Sequence, residues 1–273
     1  MKPAEGRCRV VIEEIQPQID GGRYPAKRVL GDTVEVTAAI FGDGHDHVAA
    51  RLTYRSHATG QVRSVRFTPL NNDVWSAKFV VDHLGAWSFS IEAWIDHFDT
   101  WVHDLFQRLA AQPDPQEPTQ QVTPQDIPLA LRTGAIHVDG AAERAVPSDS
   151  TKLKRYAQKL RSMADEKLAH YPVSVLRALT EKLTPLLEAY PDTQFATKHP
   201  VDLPLWVDRE RAQFSAWYEL FPRSAGARAG GHGTLRDVEA QLPRIAAMGF
   251  DIVYMPPIHP IGEQFRKGKN NAV

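Results

Sequence analysis

The sequence lacks several features that define whole classes of protein. Cys8 is the only cysteine among 273 residues, so the chain cannot form an intramolecular disulfide. No histidine stands near it at metal-ligand spacing, and a lone thiol of this kind is typical of a reducing compartment. We therefore expect a cytoplasmic protein with no metal site and no organic cofactor, in which Cys8 is a buried or sheet-edge thiol.

Long apolar runs and an excess of one charge are also missing. No stretch approaches the roughly 18 apolar residues of a membrane helix, and the N-terminal residues contain no apolar signal segment. The 32 basic residues nearly balance the 33 acidic ones, which gives a formal charge of −1. Such a chain has no overall field to attract nucleic acid or an anionic membrane, so any anion binding must be local. The sequence therefore predicts neither a nucleic-acid partner nor a membrane partner.

Residues 1–110 contain six or seven short segments with the composition of β-strands. Apolar and polar residues alternate through residues 33–41, which indicates a strand with one buried face. Turn residues separate the other predicted strands, which cover 10–15, 50–55, 62–67, 75–81 and 87–95. This spacing predicts an immunoglobulin-like β-sandwich.

Four of the six tryptophans lie in this region, where exposed rings could stack on sugars as in a carbohydrate-binding module. The strand at 87–95 places Trp87 and Phe89 on the same face as Ile91, which favours core packing instead. The segment DGGRYPAKR at 20–28 is predicted to be a surface loop. The four tryptophans predicted to pack in a core are Trp75, Trp87, Trp94 and Trp101.

Residues 111–205 begin with a Pro/Gln-rich linker and continue as a helical insert. After a weakly patterned stretch through Gly140, serine and aspartate cap candidates near residue 148 precede an amphipathic helix. A second helix follows Pro172, and Pro185 should end or kink it. Two such helices cannot fully bury their apolar faces on each other, so flanking domains or a second copy should cover them. A homodimer is therefore one hypothesis.

Residues 206–273 have the pattern of a β-α-β unit. The segments 214–221 and 250–255 are predicted to be buried strands, and the intervening helix is predicted to begin after Thr234 and end at Gly249. This order indicates parallel strands, whose following loops, 222–234 and 256–271, should share one ligand-binding face. A domain cannot close at its second strand, so we expect the front part of a longer protein.

Specific motifs in this region resemble a known enzyme family. The segments WYELFPRS, LPRIAAMGFDIVYMPPIHPIG and RKGKNN are similar to the first strands of the (β/α)8 barrel of the α-amylase superfamily, glycoside hydrolase family 13. Together with VVIEEIQPQIDGGRYPAKR and GDGHD upstream, they resemble the α-1,4-glucan:maltose-1-phosphate maltosyltransferases over nearly the whole chain. The resemblance implies a multidomain protein: a sandwich at 1–110, a linker and helical insert at 111–205, and an incomplete barrel at 206–273.

The resemblance also implies a reaction. The family transfers maltosyl units from α-maltose 1-phosphate to α-1,4-glucans, with release of phosphate and retention of anomeric configuration. Such chemistry needs two carboxyl groups about 5 Å apart around the scissile bond. The family places them after later barrel strands, so we expect them beyond Val273 and assign no catalytic residue among the acidic side chains of residues 206–273. The acidic residues that stand in or near the predicted strands, helix and loops, and that are not assigned to catalysis, include Glu219, Asp237, Asp251 and Glu263.

One lysine matches the donor-contacting position of the family motif. Lys267 in RKGKNN is implied to bind the donor, because an ammonium group forms charge-assisted hydrogen bonds with sugar hydroxyls or phosphate oxygens. Lys269 and Asn270 are weaker candidates in the same loop, and His259 is expected to brace it. Two alternatives remain. One is another α-glucan-acting hydrolase or isomerase of the superfamily, and the other is a non-catalytic glucan-binding or dimerisation module.

Overall fold

The structure is a computed structural model that describes residues 6–111, 126–166, 171–228, 231–259, 262–268 and 272. Within these residues it contains mixed β-sheets and five α-helices. In chain order the strands are β1 (Val10–Gln16), β2 (Ala26–Val29), β3 (Thr33–Gly42), β4 (Val48–Ser56), β5 (Val62–Arg66), β6 (Thr68–Pro69), β7 (Val74–Val80), β8 (Gly85–Ile95), β9 (Thr197–Lys198), β10 (Leu203–Asp208), β11 (Trp217–Glu219) and β12 (Ile252–Tyr254). The helices are α1 (His97–Ala110), α2 (Asp126–Arg144), α3 (Pro147–Asp165), α4 (Val173–Ala189) and α5 (Leu235–Ala247).

Two sheets enclose one apolar core, built from strands β1 to β8 together with β9 and β10. One sheet has the order β1-β3-β7-β6, and the other has the order β2-β10-β8-β4-β5, with β9 also pairing with β8. Alternating side chains such as Val34 and Val36 on β3 and Phe89 and Ile91 on β8 meet in that core. The six strands predicted from alternation are confirmed, because each segment has one face to bury.

Burial confirms that the predicted tryptophans pack rather than stack on ligands. Trp87, Trp94 and Trp101 are 3%, 3% and 5% exposed. Trp75 packs partly buried against the core between the sheets, and its Nε1 donates a hydrogen bond to the Ile40 carbonyl at 2.8 Å. Trp101 belongs to helix α1 and packs among the helices. These rings therefore stabilise two different cores.

The surface loop predicted at 20–28 is wrong for its last residues. Ala26 and Val29 are buried, and β2 pairs in parallel with β10, with Ala26 opposite Leu205. This pairing provides hydrogen-bond partners for the backbone of residues 26–29. Turn residues in the local sequence cannot reveal it, because the partner strand is distant in the chain. The strand β10, which lies 177 positions later in the chain, supplies the partner.

Four helices form the second apolar core. Helix α1 follows β8 directly and buries Phe98, Trp101 and Leu105 among the helices, although the sequence assigned its residues to the strand-rich segment. The linker predicted at 110–128 falls mostly outside the described residues, but its end belongs to α2. The stretch of weak pattern through Gly140 is helical, and α1 and α2 cover α3 and α4. Neither flanking domains nor a second copy are needed to bury the two predicted helices.

The side-chain cap predicted for α3 is absent, and Pro185 does not end α4. Helix α3 has Val146 as its N-cap with no side-chain cap bond, and Pro147 occupies the first turn, where its missing N–H costs no hydrogen bond. Asp149 instead accepts hydrogen bonds from Lys152 and from the Tyr190 hydroxyl. Helix α4 contains Pro185 and continues to Ala189. Packing of Leu183 and Leu187 in the helical core outweighs the single donor that proline removes.

The last unit is β11, α5 and β12, with the two strands parallel as predicted. Helix α5 begins at Leu235 after Thr234, and Gly249 follows it with φ of 87°, so both predicted ends are confirmed. The predicted burial of both strands is wrong: Trp217 is 58% exposed and Phe214 83% exposed. One helix covers only part of a two-stranded sheet, so most apolar side chains remain uncovered. No helix of the described residues is both long and apolar enough to cross a bilayer.

Candidate functional site

The parallel pair β11–β12 defines one edge to which two polar loops are attached. Trp217 lies opposite Ile252 and Glu219 lies opposite Tyr254, so the carboxyl ends of both strands lie together. The loop after β11 leads to helix α5, and the loop after β12 contains the predicted binding residues. Loops at this edge of parallel strands are the usual place for ligand sites in α/β folds.

The first loop is held in a compact shape that depends on glycine. Its short 3-10 turn, Pro222–Ser224, is followed by a return at Gly233, whose N–H donates to the Arg223 carbonyl at 2.9 Å. A Cβ atom at Gly233 would lie 2.3 Å from the Pro222 carbonyl oxygen and 2.5 Å from the Gly226 nitrogen. No other residue fits there without moving the backbone, so the loop's course is fixed by this glycine.

The start of helix α5 uses one acidic residue for structure. The Thr234 side chain accepts from the Asp237 N–H, and the Asp237 carboxylate accepts from the Thr234 N–H at 2.6 Å and from its hydroxyl at 2.7 Å. Hydrogen bonds from the Thr234 side chain and then from its backbone lower the pKa of the Asp237 carboxyl. This reciprocal cap engages Asp237 at the helix N-terminus, consistent with its exclusion from catalysis.

Asp251 lies at the opposite edge of the strand pair. Its Oδ2 accepts from the Ala216 N–H at 3.0 Å, and its Oδ1 lies 3.3 Å from Arg211 Nε. These contacts join the amino ends of β11 and β12, away from the two loops. Asp251 therefore holds the strands together. Glu219 and Glu263 are exposed.

The second loop leaves β12 through Pro256 and Pro257 and presents cations to solvent. Arg266 and Lys267 are exposed, and the Gly268 N–H donates to the Ala272 carbonyl at 2.7 Å. Lys269 and Asn270 lie outside the described residues. His259 is exposed. The structure thus places Lys267 on the loop after β12, with its side chain accessible to a ligand.

The first loop brings further cations to the same edge of the strand pair. Arg223, Arg228 and His232 all have exposed side chains and follow β11. Neighbouring cations at one sheet edge suit an anionic group such as a phosphate, because each adds a charge-assisted hydrogen bond. Exposed basic side chains of both loops therefore follow the carboxyl ends of the two strands. In the part of the chain that the structure describes, no three metal-ligating side chains gather into a cation site.

One exposed aromatic residue escaped the sequence analysis. Trp206 on β10 is 42% exposed, while its neighbours Leu205 and Val207 are buried. The alternation LPLWV in 203–207 could have placed it on an outward face, had the segment been recognised as a strand. Trp206 is therefore partly open to solvent, whereas Trp87, Trp94 and Trp101 are buried.

The chain was compared with known protein families and with curated proteins. Residues 8–209 match the family described as "Alpha-1,4-glucan:maltose-1-phosphate maltosyltransferase, domain N/S". Proteins with the name alpha-1,4-glucan:maltose-1-phosphate maltosyltransferase are similar over nearly all of the chain. The relative from Chlorobaculum tepidum is 42% identical over 272 residues, which is 100% of this chain and 38% of the relative. The relative from Methylacidiphilum infernorum is 39% identical over 99% of this chain and 38% of its own length. The relative from Corynebacterium pseudotuberculosis is 38% identical over 97% of this chain and again 38% of its own length.

Proposed function

The chain belongs to the α-1,4-glucan:maltose-1-phosphate maltosyltransferase family, and we propose that it is part of an enzyme that transfers maltosyl units from α-maltose 1-phosphate to the non-reducing ends of α-1,4-glucans. The family match over residues 8–209 is the observation that carries this proposal. Phosphate is the leaving group, and the anomeric configuration is retained through two successive displacements. The substrates are α-maltose 1-phosphate and an α-1,4-glucan.

The activity belongs to a protein longer than this chain. The chain spans 38% of the length of the first curated relatives it matches. Retaining transfer needs a carboxylate nucleophile and a carboxylic acid on opposite sides of the scissile bond. The family resemblance implies that the catalytic pair follows later barrel strands, and we propose that it lies outside residues 1–273. Asp237 and Asp251 are engaged in structural contacts and are assigned to neither role. Residues 1–273 alone are then inactive.

The finer architecture is part of the same proposal. We propose an immunoglobulin-like sandwich for the two sheets and the start of a (β/α)8 barrel for β11, α5 and β12. The division into 1–110, 111–205 and 206–273 describes the order of these units along the chain. Packing supports different boundaries for the first two units. Helix α1, which precedes residue 111, packs in the helical core, and β10, which spans the boundary at residue 205, packs in the core between the sheets. A cytoplasmic location completes the proposal. The homodimer stays a hypothesis, and the argument for it from uncovered helix faces is removed by the packing of α1 and α2 on α3 and α4.

The donor-binding role is proposed for Lys267, with Lys269 and Asn270 as weaker contributors. Support for Lys267 comes from its exposed side chain on the loop after β12 and from the basic residues around it. An ammonium group there can bind phosphate or sugar oxygens of the donor. Because Arg223 and His232 belong to the loop after the neighbouring strand, the phosphate end of the donor is the part we expect near this edge.

Phosphate release tests the proposed reaction. A protein of the relatives' length that contains this chain should release inorganic phosphate from α-maltose 1-phosphate when glycogen is present, and it should not hydrolyse glycogen alone. Glucose or maltose formed from glycogen without the phosphorylated donor would indicate a hydrolase of the same superfamily. Glycogen binding without any turnover would indicate a non-catalytic module.

A further inference from the structure

The outward face of the second sheet presents one exposed tryptophan beside small and polar side chains. On β10, Leu205 and Val207 point into the core, so Trp206 points away from it. Strand pairing places Trp206 opposite Lys27 on β2 and opposite Ala86 on β8. The methyl group of Ala86 is too small to cover an indole ring. Lys27 Nζ lies over the ring, 5.7 Å from its centroid, and Trp206 still remains 42% exposed.

The neighbouring row of side chains on the same face contains two polar residues, Ser88 and Arg55. In this row Pro204, Ser88 and Arg55 lie opposite one another on β10, β8 and β4. His57 Nε2 lies 3.0 Å from Ser88 Oγ, which adds an imidazole to the row. Because side chains two positions apart on a strand share a face, the Trp206 ring lies diagonally next to this row.

A shallow groove follows the polar row away from the tryptophan. Ser90 and Thr53 form the row after Ser88 and Arg55, and both line the groove. Lys198 and Asp202 also line it. The groove therefore combines hydroxyl groups, a guanidinium, an ammonium and a carboxylate, which together offer both donors and acceptors.

The composition of this face selects a class of ligand. Cations and anions are mixed, since Lys27 Nζ lies 3.5 Å from Asp208 Oδ2 and both Asp202 and Arg55 line the groove, so the face does not suit a polyanion such as nucleic acid. A flat aromatic surface followed by paired donors and acceptors suits a sugar chain, which has apolar ring faces and hydroxyl edges.

We propose that this face binds an α-1,4-glucan away from the strand-end loops, with one glucosyl ring stacked on Trp206 and the next hydrogen-bonded by Arg55, Ser88 and their neighbours. The choice of an α-1,4-glucan rests on the proposed function, whereas the stacking site rests on the sheet geometry. Such a site holds a polymeric acceptor near the enzyme and takes no part in the chemistry at the donor.

Binding of glycogen and maltoheptaose by the 273-residue chain tests the site without requiring activity. The unaltered chain should be retarded in native gels that contain glycogen, and maltoheptaose should change its tryptophan fluorescence. Trp206→Ala should weaken glycogen binding about tenfold, because it removes the stacking surface. Phe41→Ala is the matched control, since Phe41 is an aromatic residue 37% exposed on β3 of the other sheet. It should leave retardation unchanged.

Arg55→Gln provides a second, independent variant that does not alter the aromatic ring. It should also weaken binding, and thermal unfolding of each variant shows whether its fold is kept. If Trp206→Ala does not fold, Arg55→Gln decides the outcome. Retardation by glycogen that neither variant reduces, or no retardation of the unaltered chain, overturns the proposal. Turnover is a separate measurement: glycogen binding through Trp206 without phosphate release by the longer protein contradicts the proposed reaction and leaves this site standing.

Discussion

At the scale of single residues, Gly134 sets how closely helices α1 and α2 approach. A Cβ atom there would lie 2.1 Å from Trp101 Cζ2, and the indole Nε1 already donates to the Ala130 carbonyl at 2.7 Å. Because the hydrogen bond to Ala130 fixes the indole ring in place, the ring cannot move away from an added Cβ atom at Gly134. Gly134→Ala should lower the free energy of unfolding by about 1–3 kcal/mol, as overpacked cores do, in urea denaturation experiments.

Gly140 in the same helix is the matched control for this substitution. The nearest atom to its added Cβ is Arg144 Nη1 at 3.6 Å, which is ordinary contact with a flexible side chain. Gly140→Ala should therefore stabilise the protein by up to about 1 kcal/mol through helix propensity. Equal effects at the two positions would contradict the packing described for Trp101.

Asp237 provides a residue-scale prediction about pH. Its lowered pKa means that its contribution to stability is complete above the carboxyl's ordinary value of 3.8 and is lost as the pH falls through the lower value of the folded state. Carboxyl carbon NMR should show Asp237 titrating below 3.8. Thr234→Ala should raise that pKa toward its ordinary value and destabilise helix α5 by about 1 kcal/mol. Thr151→Ala on α3 should leave the titration unchanged.

Lys267 gives the residue-scale prediction for binding. In the protein of the relatives' length, Lys267→Ala should raise the KM for α-maltose 1-phosphate several-fold and leave the thermal unfolding temperature nearly unchanged, because the side chain is exposed. Arg266→Ala removes an equal charge one residue away and serves as the control. Equal increases of KM for both variants would indicate a general effect of charge, and an unchanged value for Lys267→Ala would remove the assignment.

At the scale of elements, the stacked histidines between α1 and α2 make stability depend on pH. The His97 and His137 rings lie 6.2 Å apart at 6°, and burial, followed by the charge of His97, lowers the pKa of His137. The unfolded chain then binds a proton at a higher pH than the folded one. The free energy of unfolding should decrease as the pH falls through and below the ordinary histidine value of 6.5.

A substitution separates this contribution from the other histidines. His137→Gln should flatten the decrease in the free energy of unfolding on acidification, measured by urea denaturation at a series of pH values. His199→Gln is a suitable control, because His199 is exposed and its imidazole hydrogen-bonds with the backbone of the nearby Val201. A pH profile that His137→Gln does not alter would show that another group is responsible.

Elements whose own sequence determines their environment could be predicted. The strands β1, β3, β4, β5, β7 and β8 follow from alternation, and the ends of α5 follow from Thr234 and Gly249. Helix α2 could not be predicted in this way. Its buried positions are mostly alanine, and its Gly134 is explained only by Trp101 of another helix. Strand β2 likewise depends on β10, a partner distant in sequence.

The candidate site was predictable to a similar extent. Parallel strands and their loops follow from the order of elements, and the family motif selected Lys267. The exposed Trp206 was not predicted, since its role depends on which face of β10 turns outward. Lys269 and Asn270 remain predictions, because they lie outside the described residues.

At the scale of the whole molecule, two apolar cores are joined where β8 passes directly into α1. The sheets and the helices each bury a separate set of side chains. The β11–α5–β12 unit buries little by comparison, and Phe214, Trp217 and Phe221 are all more than half exposed. Apolar surface of this kind supports the proposed barrel, whose further units would cover it in proteins of the relatives' length.

The most direct test of the central proposal is mass spectrometry of maltohexaose after incubation with α-maltose 1-phosphate and the protein at the relatives' length. Maltosyl transfer predicts products that lengthen in steps of two glucosyl units, with one phosphate released per step. Products that lengthen by one unit, that only shorten, or that form without phosphate release would contradict it.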